Sequence, residues 1–256
     1  MKLSYWLIVL ALVVVLGCVS APSALAQKDK EKEKEAAEQA VDSGSFGVFM
    51  NGHRVGTETF SIVQDHSGSL IKSEFKTEND PNGGQAVQSS EMRLTPSGEI
   101  RRYDWKELSP EPASSSVVPN DQFLNQKWSE GPQSKEHQQP YLLPLSTTIL
   151  DDYFFVHREV LVWKFLAASC KQDKGVVQCP VKQRAQFATL DPRQHASAPL
   201  AAEYLGREKV NYKGSEREFN KVELRNESGP WQLWLDDQFK LVRIWIAGDN
   251  TEVLRD

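Results

Sequence analysis

From Ser45 onward, apolar and polar positions alternate with a period of two, the signature of half-buried strands. Phe46, Val48 and Met50 mark one face of a strand that runs into Asn51-Gly52. That pair favours a type I′ hairpin turn, because both of its central residues need positive φ. The return strand opens His53-Arg54-Val55-Gly56. Across a two-residue turn Met50 faces His53 and Val48 faces Val55, whereas Phe60 and Ile62 have the opposite parity. One bulge, placed at Gly56, brings all of them to a single face.

The same vocabulary continues as a meander. "SLIKSEFKTE" and "QAVQSSEMRLT" are separated by the turn cluster "NDPNGG", and "PSG" turns the chain into "EIRRYDWKEL". A polar, proline-bearing stretch over about 109–145 then breaks the alternation and reads as a long loop or lid. One helix is predicted, over "STTILDDYFFVHREVLVWKFLAA". Ser146, Thr147 and Thr148 offer caps, Asp151 and Asp152 suit its first turn, and Leu150, Phe154, His157, Leu161 and Phe165 lie on its apolar stripe. Strands resume with "GVVQCPVKQRAQFATL" and continue to "KLVRIWIA". The expected fold is α+β: a strongly curved antiparallel sheet, a half-barrel-like meander, wrapped around one central helix.

The first residues give an address rather than an element. Lys2 precedes an apolar run, Tyr5 to Val19, that is short for a membrane span and suits the core of a secretory signal. Ala24 and Ala26 set a cleavage site after Ala26, so residues 1–26 read as a signal peptide. A competing reading takes "VLGC" as a lipobox with Cys18 lipidated, and a third leaves the run uncleaved as an anchor. Export to the periplasm or cell envelope is common to the first two, and membrane association follows only from the second or third. Residues 27–43, with "KDKEKEKEAAEQA" at their heart, bury nothing and read as a charged tether. The single domain then covers 44–256.

Charge and cysteines narrow the classes. The chain has 30 Lys and Arg against 35 Asp and Glu, a net charge of −5, which argues against nucleic acid as a partner. With Cys18 in the leader, Cys170 and Cys179 remain as an even pair in "SCKQDKGVVQC", and an oxidising compartment favours a disulfide between them.

Candidate chemistry is sparse. No nucleophile elbow, zinc helix or phosphate loop is present, and the five histidines stand at no metal-ligand spacing from one another. No cofactor, metal or catalytic residue is expected. Four residues are weak ligand-binding candidates. Arg54 beside the hairpin turn could hold an anionic group. His157 lies near Asp151, Asp152 and Glu159, although helical spacing projects the aspartates elsewhere and a core histidine is the plainer reading. Trp231 and Trp234 lie on opposite faces of the last hairpin, where aromatic side chains would line an apolar cavity or fill a core.

"GVFMNGHRVGTETFSI", "LTPSGEIRRYDW", the helix and the closing "WLDDQFKLVRIWIAGDNTEV" together resemble a group of bacterial exported proteins of unknown function. Their layout is similar to the half-barrels of the periplasmic lipoprotein-carrier superfamily, over about residues 44–256. The resemblance implies an apolar cavity that holds a lipid, lipoprotein or other apolar envelope molecule without transforming it. This chain shows one helix where the carriers use several, and no ligand position can be carried over. A structural module that docks an envelope partner through sheet edges or the tether is the second reading. An exported hydrolase is the third.

Overall fold

The computed structural model describes residues 38–78, 85–131, 133–174 and 176–256. The leader, Cys18 and most of the charged segment lie outside the described residues. The first eight strands are β1 (Gln39–Met50), β2 (His53–Asp65), β3 (Gly68–Thr77), β4 (Val87–Leu94), β5 (Ile100–Ser109), β6 (Ala113–Asn120), β7 (Phe123–Ser129) and β8 (His137–Tyr141). The short β9 (Thr148–Ile149) leads to α1 (Val156–Ser169). After it come β10 (Lys171–Asp173), β11 (Val176–Gln178), β12 (Arg184–Asp191), β13 (Ala196–Tyr212), β14 (Ser215–Asn226), β15 (Gly229–Leu235), β16 (Leu241–Ile246) and β17 (Thr251–Arg255).

Fifteen strands form one open sheet in the order β8-β7-β6-β5-β4-β3-β2-β1-β17-β16-β15-β14-β13-β12-β9. Every pairing is antiparallel except β9 with β12. The first and last strands are therefore neighbours in the middle of the sheet, with Phe46 opposite Arg255 and Val48 opposite Val253. From that centre the chain meanders outward to β8, and after α1 it returns from the other end. Hairpin β10–β11 stands apart, and the Cys170–Cys179 disulfide closes its base.

The opening hairpin follows from local chemistry. Asn51 and Gly52 both have positive φ, 50° and 78°, as a type I′ turn demands. Met50 pairs with His53, then the register shifts so that Val48 meets Gly56. The bulge falls at Val55, one residue before the position the alternation suggested. Gly56 is needed for a different reason: a Cβ there would lie 2.4 Å from the Phe75 ring. Inward residues of this half include Phe46, Phe60, Ile62, Ile71 and Met92, all essentially buried. Each such side chain contributes about 1.5–3 kcal/mol by leaving water.

Four further expectations are corrected. The stretch over 109–145 is not a loop: it carries β6, β7 and β8. Its period-two pattern is masked because inward positions are themselves polar. Ser115 and Gln126 are buried and hydrogen-bonded to each other at 2.8 Å, and Tyr141 Oη donates to Gln126 Oε1 at 3.1 Å. The tether expected over 27–43 is, in its described part, strand from Gln39 onward, because Asp42 turns inward and meets Arg255 and Lys240.

The helix begins at Val156, ten residues later than its proposed cap. Ser146, Thr147 and Thr148 cap nothing, and Asp151 instead accepts the Tyr153 N–H in a turn at 3.0 Å. The α1 N-terminus is satisfied from a distant strand: Glu58 on β2 accepts the N–H groups of Phe155 (2.7 Å) and Val156 (3.3 Å). Nor does α1 carry a single apolar stripe. Val156 to Val162 are all buried, including the consecutive polar residues His157, Arg158 and Glu159.

Candidate ligand cleft at the start of α1

The turn between β12 and β13, Asp191-Pro192-Arg193-Gln194-His195, reaches strands far away in sheet order. Asp191 Oδ1 accepts the N–H groups of Arg193 (2.8 Å) and Gln194 (3.1 Å), a local bond that aspartate makes readily. The turn projects Arg193, whose Nε lies 3.3 Å from each carboxylate oxygen of the fully buried Asp151. A second Arg193 nitrogen donates to Gln88 on β4. The guanidinium packs over Trp105 at 4.4 Å and Tyr153 at 4.1 Å. Pro192 O accepts from Gln126 on β7, and His195 packs on Trp128 with ring centroids 4.0 Å apart.

Asp151 receives a further bond from Tyr103 Oη at 3.2 Å. Burial pushes its carboxyl above the ordinary range, while Arg193, the Tyr153 N–H, Arg158 and Tyr103 pull it back. Arg158, on α1, donates to Asp151 O, to Phe154 O at 3.1 Å and to Asp152 Oδ1 at 2.9 Å. Its guanidinium carbon lies 4.4 Å from the Trp231 ring centroid. This buried cation is thus held by main-chain oxygens, one carboxylate and an aromatic face.

Beside Arg158 opens a cleft of about 410 Å³. Its buried lining is mostly apolar, with Leu150, Leu200, Leu224 and Ile246 beside Thr189 and Arg158. Trp231 is half-buried, and the outer lining is polar, with Asp152, Asp191, Gln194, Asn226, Ser228 and Asp249. Burial first, then the neighbouring Asp151 and Asp152, push the Asp191 carboxyl up to about 6. A wider trough of about 720 Å³ lies over β2–β5, lined by Lys72, Glu91, Arg102 and Asp104 among others. Those are the outward rows of an antiparallel sheet, already paired as Lys72–Glu91 and Arg102–Asp104. Size alone does not make it a site, and the cleft has the more convergent chemistry.

The chain matches no family model, no curated protein and no solved structure.

Of the four ligand-binding candidates, Trp231 alone lines the cleft. Trp234 faces the other side of the sheet, where it packs with Tyr212, Phe219 and Val242 and donates to Glu208 at 2.7 Å. Arg54 is engaged by Asp256 at 2.8 Å and Thr57 at 3.0 Å, which ties the chain end to β2. His157 points away from Arg158 toward Ser90, with Nε2 3.5 Å from Oγ, and its Nδ1 has no hydrogen-bond partner among the described residues. Burial, then Arg158, depress the imidazole pKa to about 3. A serine–histidine pair without an orienting acid lacks the third part of a hydrolytic triad.

Sequence reasoning missed Asp151, Arg158 and Arg193 as a unit. Asp191-Pro192 is a turn signal visible in the chain, but nothing in chain order couples Arg193 to Asp151, 42 residues away.

Proposed function

We propose that this chain is a non-enzymatic cell-envelope protein that binds a small amphiphilic ligand in the cleft beside Arg158. The apolar body would rest on Leu150, Leu200, Leu224 and Ile246, and a hydroxyl- or amine-bearing end would meet Asp152, Asp191 and Asp249. The carrying observation is this division of the lining into an apolar floor and a carboxylate-rich rim. At about 410 Å³ the cleft falls within the roughly 300–1,000 Å³ typical of small-molecule sites.

The reading includes a curled, half-barrel-like sheet around α1, and chain reach supports it. Fifteen strands spaced about 4.8 Å apart would span about 67 Å if laid flat. Yet β8 and β9, at opposite ends of the order, are joined by residues 142–147 alone. That connection reaches at most about 25 Å. The burial of His157, Arg158 and Glu159 on three successive helix directions agrees with a helix enclosed on all sides. The wide apolar cavity of a carrier is replaced here by the aromatic side chains of α1 and its neighbours, so the ligand is placed at the cleft rather than along the helix.

Native mass spectrometry of the protein purified gently from the cell envelope tests the reading, alongside Ala198→Phe, which adds a bulky side chain at a residue that lines the cleft. The expected result is a noncovalent adduct of amphiphile mass on the wild type that A198F lacks. Bare chains in both, or equal adducts in both, would overturn it. The bare result would move attention to docking of an envelope partner, because β12 pairs with β9 only at Thr189 and Leu190 and leaves Arg184–Ala188 open to strand addition.

A further inference from the structure

The lane beside β12 is only partly filled. β9 pairs with it at Thr189 and Leu190 alone, and upstream of them Arg184–Ala188 pairs only with β13. The hydrogen bonds show which groups are left over. Gln183 O accepts the Tyr204 N–H at 2.9 Å, so the odd-numbered residues of β12 turn their main chain toward β13. On the other side Leu190 O accepts the Leu150 N–H at 3.0 Å, so the even-numbered residues face away from β13. The N–H and C=O groups of Arg184 and Gln186 therefore point into the empty part of the lane, and no group among the described residues bonds to them there.

A groove of about 310 Å³ lies along the same stretch, lined by Gln186, Phe187, Ala188, Ala198, Pro199 and, from the β8–β9 connection, Leu143. Next to Leu143 in the chain, Leu142 is 82% exposed. Charge stands at the upstream end, where Lys182 and Arg184 are exposed and Glu203 lies 2.7 Å from Arg184. The opposite edge of the sheet is built otherwise. β8 carries the exposed Pro140, which has no N–H to offer, and Lys135 and Glu136 precede it. Proline and charge keep an edge from pairing, whereas Arg184–Ala188 has no proline and a single charge. A second copy of the chain fits this edge poorly. Antiparallel pairing about Gln186 would set Arg184 of each copy against Ala188 of the other, which places a cation over an apolar groove.

We propose that the lane beside Arg184–Ala188 takes up an extended segment of a partner protein, which adds a strand to the sheet in line with β9. Main-chain bonds to Arg184 and Gln186 hold the segment, an apolar side chain fills the groove, and an acidic side chain meets Lys182 and Arg184. None of residues 184–188 lines the cleft beside Arg158, so this docking edge stands or falls apart from the ligand reading.

Two blocked peptides, VTVTEE and the reversed EETVTV, probe the edge, since a strand can enter the lane in either direction. With one of them at millimolar concentration, hydrogen exchange at the Arg184 and Gln186 N–H groups should slow by about tenfold while β3 and β4 are unchanged. N-methylation of the peptide's central residues, which removes its main-chain donors, should weaken binding by about tenfold. Gln186→Pro should do the same, because it removes an N–H that β13 does not use and leaves the ladder intact. If Q186P does not fold, Pro199→Lys, which brings a cation to the groove, should weaken binding instead. Failure of both peptides to slow exchange at Arg184 and Gln186 overturns the proposal. Equal binding of the N-methylated peptide, or equal binding by the folded variant, also overturns it. Slow exchange at those two groups without peptide, growing with protein concentration, would make the occupant a second copy and overturn the partner.

Discussion

Glu58 and His157 are buried ionisable residues on either side of the α1 start, and their pH effects oppose each other. Burial pushes the Glu58 carboxyl up to about 7, although Ser73 and the N–H groups of Phe155 and Val156 favour its ionised form. The native state therefore holds that proton more tightly than the unfolded chain, and stability falls as pH rises from about 4.5 through 7. His157 has its pKa lowered to about 3, so the unfolded chain takes up a proton that the native state refuses. That stability is present above about 6.5 and is lost as pH falls toward 3. Each group contributes a slope of about 1.4 kcal/mol per pH unit, with opposite signs between about 4.5 and 6.5. His157→Gln should unmask the Glu58 slope. In urea titrations the wild type should lose stability relative to H157Q by about 1.4 kcal/mol for each unit below 6.5. A difference that stays flat down to pH 4.5 would show that His157 titrates normally in the fold.

At the scale of elements, the β12–β13 turn is a structural tie between strands that the sheet order separates. Removing the Arg193 side chain leaves Asp151 buried beside Tyr103 without its cation. Arg193→Ala should destabilise by about 3–5 kcal/mol, and Asp151→Asn in the same chain should recover part of it. Arg193→Lys should fall between, because an ammonium keeps the charge but loses the fork to Gln88 and the flat contact with Trp105 and Tyr153. Thermal unfolding of the wild type, R193A, D151N, the double variant and R193K checks this, and additive losses in the double variant would mean the two side chains are not coupled.

Elements whose inward residues are apolar were legible: the Asn51-Gly52 hairpin, the strands after it and the closing "WQLWL" and "LVRIWI" runs are all found as strands. β6 to β8 were not, since Ser115 and Gln126 occupy inward positions and satisfy one another only after folding. The helix start was displaced for a similar reason. Its cap is Glu58, about a hundred residues upstream, and no local window contains it. Arg193 escaped notice because a lone arginine in a turn is ordinary until Asp151 and Trp105 come to it.

At the scale of the molecule, the order of strands makes β17 structural. β17 fills the place between β1 and β16 in the middle of the sheet, so its five residues satisfy main-chain groups on both neighbours. Arg255 in that strand holds Asp42, and its guanidinium carbon sits 5.3 Å from the Phe60 ring. The Asp256 N–H donates to Ser45 O at 3.0 Å, and its carboxylate meets Arg54. Pairing β1 with β17 closes a loop of about two hundred residues, a non-local contact of the kind that slows folding. Deleting residues 251–256 would therefore do more than trim an end. It would open two edges at the sheet centre and leave Asp42 with Lys240 alone. The truncated chain should show no cooperative thermal transition, whereas Arg54→Ala, which removes a half-exposed ion pair, should shift stability by only about 0–1 kcal/mol. Circular dichroism melts of the two variants separate these outcomes. A sharp transition in the truncated chain near that of the wild type would mean that the two halves of the sheet hold without the strand that joins them.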